Sequence, residues 1–131
     1  MIGLDTNVVV RYIAQDDPVQ SRKATQIIEQ RLTEDAPGFV SLVTMVETVW
    51  VLDRACGLPR GRIAAIIERM LQADTLSIQN EQEVFTAMMA LKAEHSGFAD
   101  ALIGALGAWA GCSATLTFDR KATRLKDFQF V

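Results

Sequence analysis

The sequence predicts an α/β fold, an α/β/α sandwich around a central, mostly parallel sheet of about four or five strands. Two observations carry this. Short apolar runs rich in β-branched residues recur along the chain, and each is followed by a longer stretch whose apolar residues return at helical spacing. The 131 residues, half of them hydrophobic and 22% charged, suffice for a single domain over residues 1–131 with a sizeable core.

The elements follow in order. Ile2 to Leu4 reads as a short buried strand, and Asp5-Thr6-Asn7 opens a helix over Thr6 to Ala14. Asp16-Asp17-Pro18 marks a turn and a new helix, with Ala24, Ile27, Ile28, Arg31 and Leu32 at helical spacing. Pro37-Gly38 precedes a strand at Phe39 to Ser41. A helix from about Thr44 to Cys56 ends at Gly57, and Pro59 begins another with Ile63, Ile66, Ile67, Met70 and Leu71 on one face. Thr75 to Ile78 is a third strand and Glu81 to Glu94 a helix. Ser96-Gly97 breaks before the helix bearing Asp100, Ser113 to Phe118 is a fourth strand, and a basic helix then leads to a candidate fifth at Phe128 to Val131.

Composition excludes several classes. A net charge of −3 argues against a generic nucleic-acid coat, which needs a basic surface, although an enzyme with its acids gathered in one site remains compatible. Cys56 and Cys112 follow no paired spacing and no leader pattern is evident, so two buried thiols in a reducing cytoplasm are expected. His95 is the single histidine, which leaves too little for a Cys/His zinc site or a serine triad. Ala101 to Phe118 carries no formal charge for 18 residues, yet its glycines and the Gly111-Cys112-Ser113 break argue against a membrane span.

Four acids interrupt apolar surroundings: Asp5 after Met1-Ile2-Gly3-Leu4, Glu47 within Val43 to Leu52, Asp100 within Phe98 to Ile103, and Asp119 after Ala114 to Phe118. Each alone has a local explanation, as a helix cap or a solvated helix residue. Buried together, two carboxylates about 4 Å apart would repel by roughly 4 kcal/mol at an effective dielectric of about 20. In an open parallel sheet the functional crevice lies beyond the carboxyl ends of the strands, where Asp5 and Asp119 are expected. If the fold gathers the acids, they need a divalent cation.

Ile2-Gly3-Leu4-Asp5-Thr6-Asn7, Glu47 followed by Trp50, Phe98-Ala99-Asp100-Ala101-Leu102-Ile103, and Leu116-Thr117-Phe118-Asp119-Arg120-Lys121 together resemble the PIN domain family, in particular the VapC-type toxins of bacterial toxin–antitoxin pairs. The resemblance covers essentially the whole chain. It implies an endoribonuclease dependent on Mg²⁺ or Mn²⁺, with Asp5, Glu47, Asp100 and Asp119 as the acidic quartet. Asp5 and Asp100 match the most direct metal ligands, while Glu47 and Asp119 bind directly, through water, or to a second ion. Thr6, Asn7 and Thr117 match supporting positions that orient a carboxylate or water. The family also implies a homodimer and a small cognate antitoxin whose amphipathic segment lies against the helices from Thr44 and Pro59, near Val49, Val51, Leu52, Ile63, Ile66 and Ile67.

The chemistry agrees with that assignment. Hard oxygen ligands favour Mg²⁺ or Mn²⁺, and hydrolysis through a water-derived nucleophile leaves 5′-phosphate and 3′-hydroxyl ends. Arg120, Lys121, Arg124 and Lys126 are the first candidates for phosphate contacts, with Arg11, Arg54, Arg60 and Arg62 behind them. Trp50 and Trp109 sit among apolar residues at helical spacing, so core or interface packing is expected ahead of base stacking. The Gly104, Gly107, Ala108 and Gly111 face suits close helix packing. A receiver-like phosphoryl domain fits poorly, because Asp16-Asp17 lies beyond the first helix. A housekeeping PIN-type nuclease in RNA processing and a noncatalytic binding module are the alternatives that stand.

Overall fold

The computed structural model describes Met1 to Val131. Packing divides the chain into two compact units, Met1–Pro59 with Arg69–Gln79, and Arg60–Glu68 with Asn80–Val131. All strand pairs are parallel and five short strands alternate with six α-helices, which fits the α/β/α class expected from the sequence. The strands form one ladder of three and one of two.

The first unit holds β1 (Ile2–Gly3), α1 (Thr6–Ala14), α2 (Pro18–Gln26), β2 (Gly38–Val40), α3 (Leu42–Arg54), the end of α4 (Arg60–Gln72) and β3 (Leu76–Ile78), with β2 between β1 and β3. The Asp17 carboxylate accepts from the N–H groups of Val19 and Gln20 at 3.1 and 2.9 Å, with Pro18 at the first helical position, so α2 starts where the sequence places it. Its continuation differs, because Ile27–Arg31 is a π-helical segment. Ala24, Ile28 and Leu32 are the buried positions, spaced four apart. That period exceeds the 3.6 residues of an α-helical turn, and the wider turn keeps all three inward. Leu32 and Leu4 close tightly over β2: a methyl at Gly38 would meet both leucine side chains at 2.8 Å.

α3 buries Thr44, Met45, Thr48, Val49 and Leu52 along one stripe. Ser41 caps it, its Oγ accepting from the Thr44 N–H at 3.1 Å, which moves the start two residues ahead of the sequence expectation. Thr48 is buried with its hydroxyl unpartnered. Tyr12 in α1 is half-buried, and burial followed by the negative charge of Glu29 raises its phenol above the ordinary value, with Arg69 pulling the other way.

The second unit holds the start of α4, then α5 (Glu81–Lys92), α6 (Phe98–Trp109), β4 (Thr115–Thr117), a 3-10 segment (Arg120–Arg124) where a basic helix is expected, and β5 (Phe128–Phe130), paired in parallel with β4. Gly104 and Gly107 let α6 lie close on that ladder: an added Cβ would come within 2.7 Å of the Phe128 ring at Gly104 and 2.8 Å of the Thr115 hydroxyl at Gly107. Gly111, at φ +95, ends the helix in a conformation glycine adopts without strain. No helix is long and apolar enough to cross a membrane.

Three expectations are corrected. Cys56 and Cys112 are exposed, because each sits in a turn beside a positive-φ glycine and not inside an element. Val49, Leu52, Ile63 and Ile67 are buried and belong to the core, leaving only Val51 and Ile66, half-buried, of the side chains expected to meet a partner. Of the core or interface packing expected for Trp50 and Trp109, the core half does not hold: they are 60% and 69% exposed.

Gly104→Ala should lower the thermal midpoint, since overpacking against a rigid ring costs about 1–3 kcal/mol while Ala gains at most about 1 kcal/mol over Gly in a helix. Gly107→Ala meets a hydroxyl that a χ1 rotation moves aside, so its midpoint by circular dichroism should lie above that of Gly104→Ala; the reverse order would refute the packing account. The Tyr12 phenol is favoured in its neutral form by folding, so its contribution is complete below about pH 10 and is lost as pH rises through the raised folded value. Urea midpoints above about pH 10 should therefore fall less steeply for Tyr12→Phe than for the unaltered protein.

Candidate functional site

In the first unit the site begins where β1 ends. Leu4 is buried and fixes the strand, and the chain leaves it at Asp5, whose extended backbone makes it the N-cap of α1. Its Oδ1 accepts from the Thr6 N–H at 2.7 Å, and its carbonyl accepts from Val8 and Val9. The Thr6 hydroxyl then donates to Glu47 Oε1 at 3.2 Å, across 41 residues of sequence. Glu47 is carried to that point by α3, which is tied to the same strand end by the Thr44 hydroxyl donating to the Leu4 carbonyl at 3.4 Å. Gln79, just past β3, accepts from the Leu42 N–H at 2.8 Å and holds the same helix end. Asn7 is exposed in the first turn of α1.

The second unit presents its two acids at element ends. Asp100 is half-buried in the first turn of α6, where the helix dipole favours a negative charge. Asp119 is exposed two residues past β4. Its N–H donates to the Thr117 hydroxyl at 3.0 Å and its Oδ1 accepts from the Lys121 N–H at 2.9 Å, so it caps the 3-10 segment. Arg120, Lys121 and Arg124 line that segment with exposed side chains, and the Arg120 guanidinium lies over the Phe130 ring at 4.2 Å. Among the lesser cationic candidates, Arg11 is held by Asp16 and Gln20 and Arg60 by the Ser96 carbonyl.

The Thr6 hydroxyl reaches a carboxylate, whereas the Thr117 hydroxyl accepts from the Asp119 backbone N–H and makes no hydrogen bond to its carboxylate. The expected burial of the acids is not found: Asp5, Glu47 and Asp119 are exposed, and folding carries no large desolvation cost on their account. Neither unit by itself gathers three acid, histidine or cysteine side chains around one point. The donors are hard oxygens of the kind a dication prefers, and Asp5 and Asp119 each commit one oxygen to a backbone N–H and leave the other without a hydrogen bond. Sequence reasoning missed Ser41 and Gln79, which aim α3. Ser41-x-x-Thr44 was a readable signal for the first; a glutamine 37 residues away leaves none.

Asp5 and Asp119 follow parallel strands and Asp100 lies in the first turn of a helix, the placement of functional side chains usual in open α/β folds. The PIN domain family matches residues 2–127. The chain belongs to the PIN domain family, a nuclease-type fold that implies a nucleic-acid substrate. No curated protein and no solved structure matches it.

Asp5→Asn retains a capping oxygen and should change folding stability by less than about 0.5 kcal/mol, whereas Asp5→Ala should cost about 1 kcal/mol. Urea denaturation reads both, and an equal loss for the two substitutions would remove the capping role.

Proposed function

We propose that this chain is an endoribonuclease dependent on Mg²⁺ or Mn²⁺, the toxin of a type II toxin–antitoxin pair, which hydrolyses RNA phosphodiester bonds with Asp5, Glu47, Asp100 and Asp119. The observation that carries the reading is the Thr6 bridge, which sets Glu47 against the turn that bears Asp5 in a chain of the PIN family. Asp5 and Asp100 would hold the ion most directly, with Glu47 and Asp119 beside them or acting through water. Bound there, the dication supplies charge neutralisation at the phosphate and acidifies water. Thr6 orients the Glu47 carboxylate, Thr117 fixes the backbone that carries Asp119, and Asn7 offers an amide to water or phosphate. Arg120, Lys121 and Arg124 would hold flanking phosphates. In this reading the protein is a cytoplasmic homodimer held inactive by a small antitoxin.

A noncatalytic binding module is the second reading, favoured by the capping roles that Asp5 and Asp119 fill without any ion. A housekeeping PIN nuclease would share the chemistry and lack an adjacent antitoxin reading frame.

Incubation with total RNA separates these. Cleavage should require Mg²⁺ or Mn²⁺, stop on chelation, and yield 5′-phosphate and 3′-hydroxyl ends. Asp5→Asn and Asp100→Asn should each reduce it by about 100-fold or more, the scale of several kcal/mol of lost charge stabilisation. Undiminished cleavage by folded Asp5→Asn, or 2′,3′-cyclic phosphate products, would overturn the assignment.

A further inference from the structure

α3 carries a second stripe opposite its buried one. Val43, Glu47, Trp50 and Arg54 follow one another at four, three and four residues, which places them on one helix face about a turn apart. All are exposed, Val43 by 68%, Trp50 by 60%, and the Arg54 side chain by 70%. Glu47 is the member that Thr6 holds against the Asp5 turn. Moving away from it, the stripe offers an indole one turn on and a guanidinium one turn further, about 10 Å along the helix from Glu47. The nearest carboxylate to that guanidinium is its neighbour Asp53 at 3.7 Å, with both side chains mostly exposed, an ion pair of little strength.

We infer that this face of α3 is a track for single-stranded RNA, in which Trp50 stacks on a base beside the scissile phosphate and Arg54 binds the next phosphate. The inference rests on the reading of Glu47 as part of the cleavage site and adds the residues that position substrate on it. An exposed indole has no part in the core of this helix, whose inward stripe is complete without it. Stacking needs a flat apolar face with open solvent in front, and it tolerates any base. The aromatic group is flanked by an acid on one side and a cation on the other, which matches a strand entering a cation-dependent site along its own phosphates.

The test measures binding of a short fluorescein-labelled single-stranded RNA to the full chain carrying Asp5→Asn, in Mg²⁺ and across a salt series, and KM against kcat in the cleaving protein. Trp50→Ala should weaken binding between about 5-fold and about 150-fold and raise KM more than it lowers kcat. Trp50→Phe should recover most of that affinity. Arg54→Ala should reduce the slope of log Kd against log salt by about 0.7, while Trp50→Ala leaves the slope unchanged. Unaltered RNA binding by folded Trp50→Ala, or equal losses for Ala and Phe, would overturn the track. So would a change in sedimenting mass with RNA affinity intact, which would make the stripe a protein interface. If RNA binding depends on Trp50 but no cleavage occurs with Mg²⁺ or Mn²⁺, the nuclease reading falls and the track stands; cation-dependent cleavage indifferent to Trp50 sinks the track and leaves the nuclease reading intact.

Discussion

The N-terminus of α3 is the joint on which the first unit depends. Helix starts leave N–H groups without intrahelical partners, and here they are supplied from the carboxyl ends of the parallel ladder. β2 runs directly into the Ser41 cap, the residue after β3 contributes Gln79 Oε1, and the strand end at Leu4 receives the Thr44 hydroxyl. A helix fixed at that end has its second turn fixed as well, since a rigid rise of about 1.5 Å per residue leaves no freedom between Thr44 and Glu47. Glu47 therefore meets Thr6 because α3 is anchored to the sheet, with no need for attraction between the carboxylate and an ion.

Much of the fold was legible because local chemistry and global packing agree along most of the chain. α1 begins at Asp5 and α2 at Pro18 as the caps indicate, and every expected strand exists within a residue or two of its place. The departures have local causes. The π segment at Ile27–Arg31 answers a spacing of four that looks helical in sequence and differs only in the width of the turn. The 3-10 segment at Arg120–Arg124 is held by the Asp119 carboxylate and ends at an extended Leu125, too short a stretch for an α-helix to nucleate.

The site was legible in its residue types and less so in its reasons. Apolar flanks in the sequence suggest acids that sit inside, yet only Asp100 is even half-buried, and what places the others is capping and hydroxyl contacts. Trp50 shows the same difficulty from the apolar side. Counting hydrophobicity turns the indole inward, whereas α3 turns Thr44 and Thr48 inward and leaves Trp50 in water. Threonine fits the close contact with Leu4 because its hydroxyl reaches a carbonyl that no aliphatic side chain could satisfy.

Capping and cation binding place compatible demands on one carboxylate. A cap fixes the plane of the group through one oxygen, which lowers the entropy a ligand would otherwise lose on binding, and the second oxygen keeps its lone pairs. Exposure keeps the repulsion between such acids small while no cation is present, because water and salt screen it. The fold can then hold anionic groups in preset orientations at little cost in stability, and in the proposed reading neutralisation by a dication would contribute to affinity for a negatively charged strand instead of being consumed in folding. For a chain of net charge −3 that division matters under the proposed reading: a polyanionic strand is repelled by the net charge, so its approach would have to be organised locally, by a dication at the acids and by cations and aromatic faces such as Arg120 and Trp50.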